Sequence, residues 1–462
     1  MTKTFHTINP ANGEQLATYE FMDGREVERR IENCHIAFTK WRTKSHEVRA
    51  EIIRNIGEGL QGHKDKLAVQ MTCEIGKLLS QSYEEIDLCT AICAWTAEHG
   101  ASILADEHRE LESGRGIISH APIGVIYGIQ PWNYPAYQVI RYAIANLMAG
   151  NGVLLKHAEN VTGTGLLLKA VFEEAGLPEH LFSVLIIDHD QSNRVIDHGL
   201  VRGVTLTGST DAGREVGARV ARALKKSVLE LGSNDAYLVL EDADLDQAVT
   251  HCVNGRTYNN GETCIAAKRF VVVEAVYDEF VEKFVKAMQE LTVGDPTDAE
   301  FDIGPMARED LRDNLHSQVK TSVERGAKLV TGGEIPSGEG YFYPPTVLLN
   351  VSPGQPAYDD ELFGPVASVI KAADAADAVR IANDSRFGLG GGILTGDRER
   401  AIKLATEEFD TGMVFINGFG LATPNMPFGG VKNSGYGREH GGYGIREFTN
   451  TKAVLLMDEE AV

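Results

Sequence analysis

Three residues with side chains suited to attack on a carbonyl group lie far apart in the chain. They are Cys264 in NNGETCIAAKR, Glu230 in LELGSNDAYLVL and Asn133 in GIQPWNYPAYQVIR. A thiolate is a nucleophile, a carboxylate takes a proton from water, and a fixed amide donates to an oxyanion. Each residue also has a plain structural reading. Cys264 is one of six cysteines, and a free cysteine packs as a small apolar side chain. Glu230 interrupts an apolar run, where an acid is either ion-paired or functional. Pro131 and Pro135 fix a short turn around Trp132, Asn133 and Tyr134, so Asn133 is either a held donor or the cap of the next helix. Gly261 permits close backbone approach, and the loop predicts Cys264 near a helix start, where dipole and donors favour the thiolate.

A phosphate-binding turn is the other chemistry on offer. No G-x-G-x-x-G follows any strand pattern, but LTGSTDAGREVG (206–217) ends a strand at Gly208 and opens a helix near Thr210 or Asp211. Ser209 and the first free N–H groups there suit a phosphate, and equally suit an ordinary capped turn. The remaining cysteines, at 34, 73, 89, 93 and 252, show neither zinc spacing nor a disulfide framework, so no metal and a reducing compartment are expected. Cys89 and Cys93 fall on one helix face and read as core.

These residues need elements to hold them. Residues 25–100 carry apolar positions at helical spacing. From 123 onward short apolar runs (IGVIYGI, GVLLKH, FSVLII, GVTLTG) alternate with amphipathic stretches, the pattern of a parallel sheet with helical crossovers. A second such series begins near 235 with DAYLVL and continues through RFVVVEA, TVLLN, ASVIKAA and GGILTG to GMVFIN. The chain of 462 residues is therefore expected to hold two α/β units meeting near residue 232, with a cleft between them. TKAVLLM near the C-terminus reads as an exposed apolar strand, seeking either a second copy or an internal sheet edge.

A net charge of −22 argues against nucleic acid or an anionic membrane as partner, while leaving room for an anionic substrate received by local basic residues. The segment MTKTFHTINPANGE has no apolar stretch of the signal-peptide kind, and no run of about 18 apolar residues occurs. A cytoplasmic location is expected.

Taken in chain order, PWNYP, the lysine of GNGVLLKHAEN, TGSTDAG, LELG, GETC, ELFGPV and PFGGVKNSGYGRE resemble the aldehyde dehydrogenase superfamily along essentially the whole chain, and its bacterial succinate-semialdehyde branch most. The resemblance implies two Rossmann-like parallel-sheet domains plus a small β oligomerisation arm. A cofactor domain would use 1–103 and 122–232, a catalytic domain 233–438, and the arm 104–121 and 439–462, giving a homodimer or homotetramer.

By the same resemblance Cys264 is the nucleophile, Asn133 and the Cys264 N–H receive the oxyanion, and Glu230 is the base that hydrolyses a thioester. Lys156, counted with the catalytic set as well, and Glu159 would bind the adenosine ribose. Ser209 would meet the pyrophosphate, Glu361 with Phe363 the nicotinamide-side ribose, and Ile129 and Trp132 would line the groove. A carboxylate at 159 suits ribose hydroxyls and repels a 2′-phosphate, which favours NAD while leaving NADP open. Arg141 stands where succinate-semialdehyde dehydrogenases keep an arginine for the substrate carboxylate, its plain reading being a helix-surface ion pair. Tyr258 and Thr423 occupy positions where those enzymes use arginine and serine, which leaves other small aldehydes open. Transfer of the acyl group to coenzyme A is the rival reaction, and the presence of Glu230 argues against it. VLIIDHDQSNR (184–194) departs from the glycine-rich turn of relatives on the adenine side.

Overall fold

The computed structural model describes residues 3–457. A hairpin, β1 (Thr4–Ile8) and β2 (Gln15–Glu20), precedes four helices: α1 (Gly24–Trp41), α2 (His46–Gly62), α3 (Lys64–Ile75) and α4 (Leu79–Ile103). Next come β3 (Glu107–Glu110) and β4 (Arg115–Pro122), then an alternating series. That series runs β5 (Val125–Gln130), α5 (Tyr137–Ala149), β6 (Gly152–His157), α6 (Thr162–Glu174), β7 (Phe182–Val184), α7 (His189–Asp197), β8 (Val201–Thr207), α8 (Thr210–Arg222) and β9 (Lys226–Glu230).

The second series holds β10 (Ala236–Val239), α9 (Leu245–Thr257), β11 (Arg269–Val273), α10 (Tyr277–Gln289), α11 (Glu309–Glu324), β12 (Lys328–Thr331) and β13 (Thr346–Leu349). It continues with α12 (Pro356–Asp359), β14 (Val366–Ala372), α13 (Ala375–Asn383), β15 (Phe387–Gly388), β16 (Gly391–Leu394), α14 (Arg398–Lys403) and β17 (Phe415–Ile416). The chain closes with β18 (Val431–Lys432), β19 (Gly435–Tyr436), α15 (Tyr443–Glu447) and β20 (Thr449–Leu456).

Two sheets dominate, as the alternation of apolar runs requires. One has the order β19-β9-β8-β5-β6-β7, parallel apart from β19; the other has the order β12-β13-β14-β11-β10-β16-β17, parallel apart from β12. Their central strands are buried on both faces, which is why they read as continuous apolar runs. A third, antiparallel sheet of order β20-β4-β3 forms the arm. TKAVLLM thus pairs within its own chain, against β4, and still leaves Val454, Leu455, Leu456 and Met457 exposed. The expected division at residue 438 needs one correction. Gly435 and Tyr436 pair with Glu230 and Leu229, so the C-terminal segment belongs to the first sheet before it reaches the arm.

Helix α4 buries Cys89 and Cys93 on its packed face, as their spacing implies. It also carries Glu85, whose Oε1 accepts from the Ala136 and Tyr137 N–H groups at 2.8 Å each and so caps α5. An ion pair from buried Lys77 answers that carboxylate.

Candidate active site

The Cys264 loop is built by three residues in left-handed conformation. Asn259, Asn260 and Gly261 have φ of 55°, 56° and 75°, values that asparagine tolerates and glycine adopts freely. A Cβ at Gly261 would lie 2.4 Å from the Gly364 carbonyl carbon, so the ELFGPV segment can approach only because no side chain is there. Asn260 ties the loop to the Gly76 and Pro305 carbonyls at 3.0 and 2.9 Å, and Asn259 Nδ2 donates to the Asn133 carbonyl at 3.0 Å.

Cys264 does not open a helix. It occupies a turn between these residues and β11, and the expected dipole is absent there. The turn's carbonyls go instead to one side chain: Lys268 Nζ donates to Cys264 O at 2.6 Å and to Thr263 O at 3.1 Å. Burial pushes the Cys264 thiol up to about 12, and the charges of Arg141 and Lys268 oppose that rise.

Asn133 lies in the turn between β5 and α5 and is buried. Its Nδ2 donates to the Glu262 carbonyl at 3.0 Å, and capping of α5 falls to Glu85. The cap reading of Asn133 is therefore excluded by geometry. Tyr134 joins the same turn to the loop through a 2.9 Å hydrogen bond with Thr263 Oγ1.

Glu230 ends β9, 2% exposed, and neither carboxylate oxygen has a hydrogen-bond partner among the described residues. A Cβ at Gly429 would fall 2.7 Å from its Oε1, so the PFGG glycine makes room for the acid. Burial raises the Glu230 carboxyl well above the usual range; Arg141 opposes this and Glu439 adds to it. A carboxyl held in this way takes up a proton more readily than an exposed one, the property a general base needs.

Arg141, on α5, is ion-paired with Glu439, donates from Nη2 to Thr207 Oγ1 at 2.8 Å and lies 4.7 Å over the Phe428 ring. The pair is buried, not on the helix surface. Tyr258 gives its hydroxyl proton to Glu84 at 2.6 Å, and Thr423 stands on an exposed turn closed by the Met426 N–H at 3.2 Å. Neither hydroxyl meets Arg141 in this arrangement.

On the other side, Pro131, Trp132, Asn133, Ser209, Gly232, Cys264, Glu361 and Phe363 line one cavity of about 290 Å³. Trp132 and Phe363 meet edge to face across it at 5.8 Å. Glu361 accepts from the Ser233 N–H at 3.1 Å, and Ser209 caps α8, accepting from Ala212 N–H at 3.2 Å. Ile129 and Lys156 sit side by side on β5 and β6, and Glu159 follows on an exposed turn. These residues share the carboxyl ends of adjacent parallel strands, the place where open α/β sheets bind dinucleotides, and a helix start with free N–H groups suits a pyrophosphate. Within the segment 184–194, Asp188 and Gln191 form a capping box on α7.

A model of the aldehyde dehydrogenase family matches residues 1–454. The chain belongs to that family. It is 43% identical over 448 residues to a succinate semialdehyde dehydrogenase [NAD(P)+] of Escherichia coli, covering 97% of each chain. It is 42% identical to the succinate-semialdehyde dehydrogenase [NADP(+)] of Deinococcus radiodurans, covering 98% of this chain and 94% of that one. A succinic semialdehyde dehydrogenase from Streptococcus pyogenes, solved with NADP+, superposes with a TM-score of 0.96 at 35% identity, covering 98% of this chain and all (100%) of the other. As an aldehyde dehydrogenase this chain has the expected α/β fold.

Reasoning from sequence missed three residues of the site. Glu439 was visible as the only acid of PFGGVKNSGYGRE, and Lys268 as a cation beside the thiol. His157 carried a weaker signal, a histidine at the end of an apolar strand; its Nε2 lies 2.9 Å from Pro135 O and braces the Asn133 turn.

Proposed function

We propose that this aldehyde dehydrogenase oxidises succinate semialdehyde to succinate with NAD(P)+ through a thioester on Cys264. The observation that carries the proposal is the shared cavity of Cys264, Asn133, Glu361 and Phe363, with the buried Arg141 cation acting on the same thiol. The Cys264 thiolate adds to the aldehyde carbon and the C=O electron pair moves to oxygen. Asn133 Nδ2 and the Cys264 N–H hold that oxyanion, each such donor being worth about 3 kcal/mol. The oxyanion electron pair re-forms C=O as the C–H bond of that carbon breaks, leaving a thioester on Cys264; a bound nicotinamide would be the hydride acceptor. Glu230 then takes a proton from water, which adds to the thioester carbon and expels sulfur.

Arg141 is assigned the substrate carboxylate. Glu439 occupies its Nε side, and Nη1 has only a long 3.5 Å contact with the Tyr137 hydroxyl, which leaves that nitrogen for an anion. Tyr258 and Thr423 are assigned to the outer part of the same substrate path. Lys156, Glu159, Ser209, Ile129 and Trp132 would hold the adenosine and pyrophosphate side, with Glu361 and Phe363 at the nicotinamide ribose. The carboxylate of Glu159 favours NAD over NADP. A homodimer or homotetramer built on the exposed residues of β20, and a cytoplasmic setting for six free cysteines, complete the reading.

The test compares kcat/KM for succinate semialdehyde with that for an uncharged aldehyde of equal length, in the parent, Arg141→Ala and Cys264→Ala. Loss of all turnover in Cys264→Ala and loss of the charged-substrate preference in Arg141→Ala are expected. Equal losses for both aldehydes in Arg141→Ala would remove the carboxylate assignment, and turnover by Cys264→Ala would remove the mechanism.

A further inference from the structure

Lys268 is a fully buried cation with no place in the chemistry so far described. Its Nζ donates to Cys264 O at 2.6 Å, Ser233 Oγ at 2.9 Å and Thr263 O at 3.1 Å. These three close acceptors, with Ala266 O at 3.5 Å, match the three N–H donors of an ammonium group. Ser233 Oγ, which receives one of those bonds, itself donates to Cys264 O. Glu361 Oε1 lies 3.4 Å away and Asp235 is close enough to support the charge, which burial opposes.

The Thr263 carbonyl matters because it shares a peptide unit with the Cys264 N–H. That N–H donates to no other group among the described residues. A cation on the carbonyl of a peptide polarises its N–H, because hydrogen bonds in a chain strengthen one another where water is excluded. The Ala266 N–H also donates to Thr263 O, at 3.1 Å, so two donors act on this one carbonyl. On the far side of the nucleophile Lys268 and Ser233 together fix the Cys264 carbonyl. Both peptides flanking the thiol are thereby held by one side chain.

We propose that Lys268 is a positioning residue for the acylation step. By gripping the Thr263 and Cys264 carbonyls it aims and strengthens the Cys264 N–H that receives the oxyanion, and it places its charge beside the thiol. The role rests on the assignment of Cys264 as nucleophile. It concerns formation of the thiohemiacetal, in which sulfur bonds to carbon and the carbonyl electron pair moves to oxygen, and not hydrolysis.

Lys268→Met keeps the length and removes the charge. In this variant the single-turnover burst of reduced nicotinamide should slow on the order of tenfold to a hundredfold, with KM for cofactor within about threefold of the parent. Iodoacetamide labelling of the Cys264 peptide, read by mass spectrometry across pH without any turnover, should have its midpoint moved up by about one pH unit. Ser233→Ala removes one donor from the Cys264 carbonyl with little change in volume and should slow the burst by about threefold to fivefold. An unchanged burst and labelling profile in a folded Lys268→Met overturns the proposal. If Lys268→Met does not fold and Ser233→Ala behaves as the parent, Lys268 is structural only and the proposal is likewise overturned. Turnover by Cys264→Ala would instead sink the underlying mechanism, so the two failures are distinguishable.

Discussion

The Arg141 guanidinium and the Glu439 carboxylate, 298 positions apart in sequence, form an ion pair of which only 1% and 6% of the two side chains is exposed. Removing one partner of such a pair leaves a buried charge unanswered. Glu439→Gln should therefore destabilise the protein by about 3 kcal/mol in urea denaturation. The matched double variant Arg141→Met with Glu439→Met should recover most of that loss, since it buries no charge. A double variant as unstable as the single one would show that the pair does not act as a unit.

Glu230 gives a pH dependence with a defined sign. Its carboxyl is raised well above the usual range by burial, so it is ionised only on the alkaline side of that range. A base must be ionised to act, so steady-state kcat should rise with pH as the Glu230 carboxyl loses its proton. Glu230→Gln should keep the burst of reduced nicotinamide, lose steady-state turnover by about a hundredfold or more, and show a flat pH profile. A variant that retained the rising profile would assign the titration elsewhere.

The relatives named above use NADP or either nucleotide, and Glu159 carries the argument for NAD here. Lys156 and Arg308 both lie within the field of Glu159. Glu159→Ser removes a carboxylate that acts on Lys156, while Arg308 stays paired with Asp310, and kcat/KM for NADP relative to NAD should rise by about tenfold. Equal use of both nucleotides by the parent would end the argument from Glu159.

His157 is a neutral buried imidazole. Burial pulls it down to about 4, while the Pro135 and Gln130 carbonyls oppose that. Its Nδ1 accepts from the Ala158 N–H at 3.1 Å, which leaves the Nε2 proton for Pro135 O. Because the folded value lies below the unfolded one, its contribution is present above pH 6.5 and is lost as pH falls toward 4. Between pH 7 and 5 this amounts to about 2 kcal/mol. His157→Gln should unfold at a temperature less sensitive to that change in pH than the parent does.

Much of this architecture was legible because its signals are local. The apolar runs of the two parallel sheets, the Pro-flanked Asn133 turn and the opening of α8 after Ser209 are each dictated by neighbours in sequence. The conformation around Cys264 was not legible, and the reason is physical. IAA following a cysteine looks like the start of a helix, yet Lys268 satisfies the carbonyls that helical N–H groups would otherwise take. The role of Glu439 was equally hidden, since only the tertiary fold brings it to α5. Residues β19 contributes to the first sheet number two, too few for any periodicity.

The C-terminal segment from Phe428 to Leu456 backs Glu230 with Gly429, pairs β9 through Gly435, answers Arg141 with Glu439, meets Tyr137 through His440 and completes the arm along β4. Synthesis runs from the N-terminus, so a ribosome delivers the thiol loop well before any of these contacts exist. Until that segment docks, Arg141 has no counter-ion and Glu230 no wall behind it. The nascent chain is in this sense latent: its thiol loop and buried acid are fully walled in only after residues 428–456 have been made and have docked.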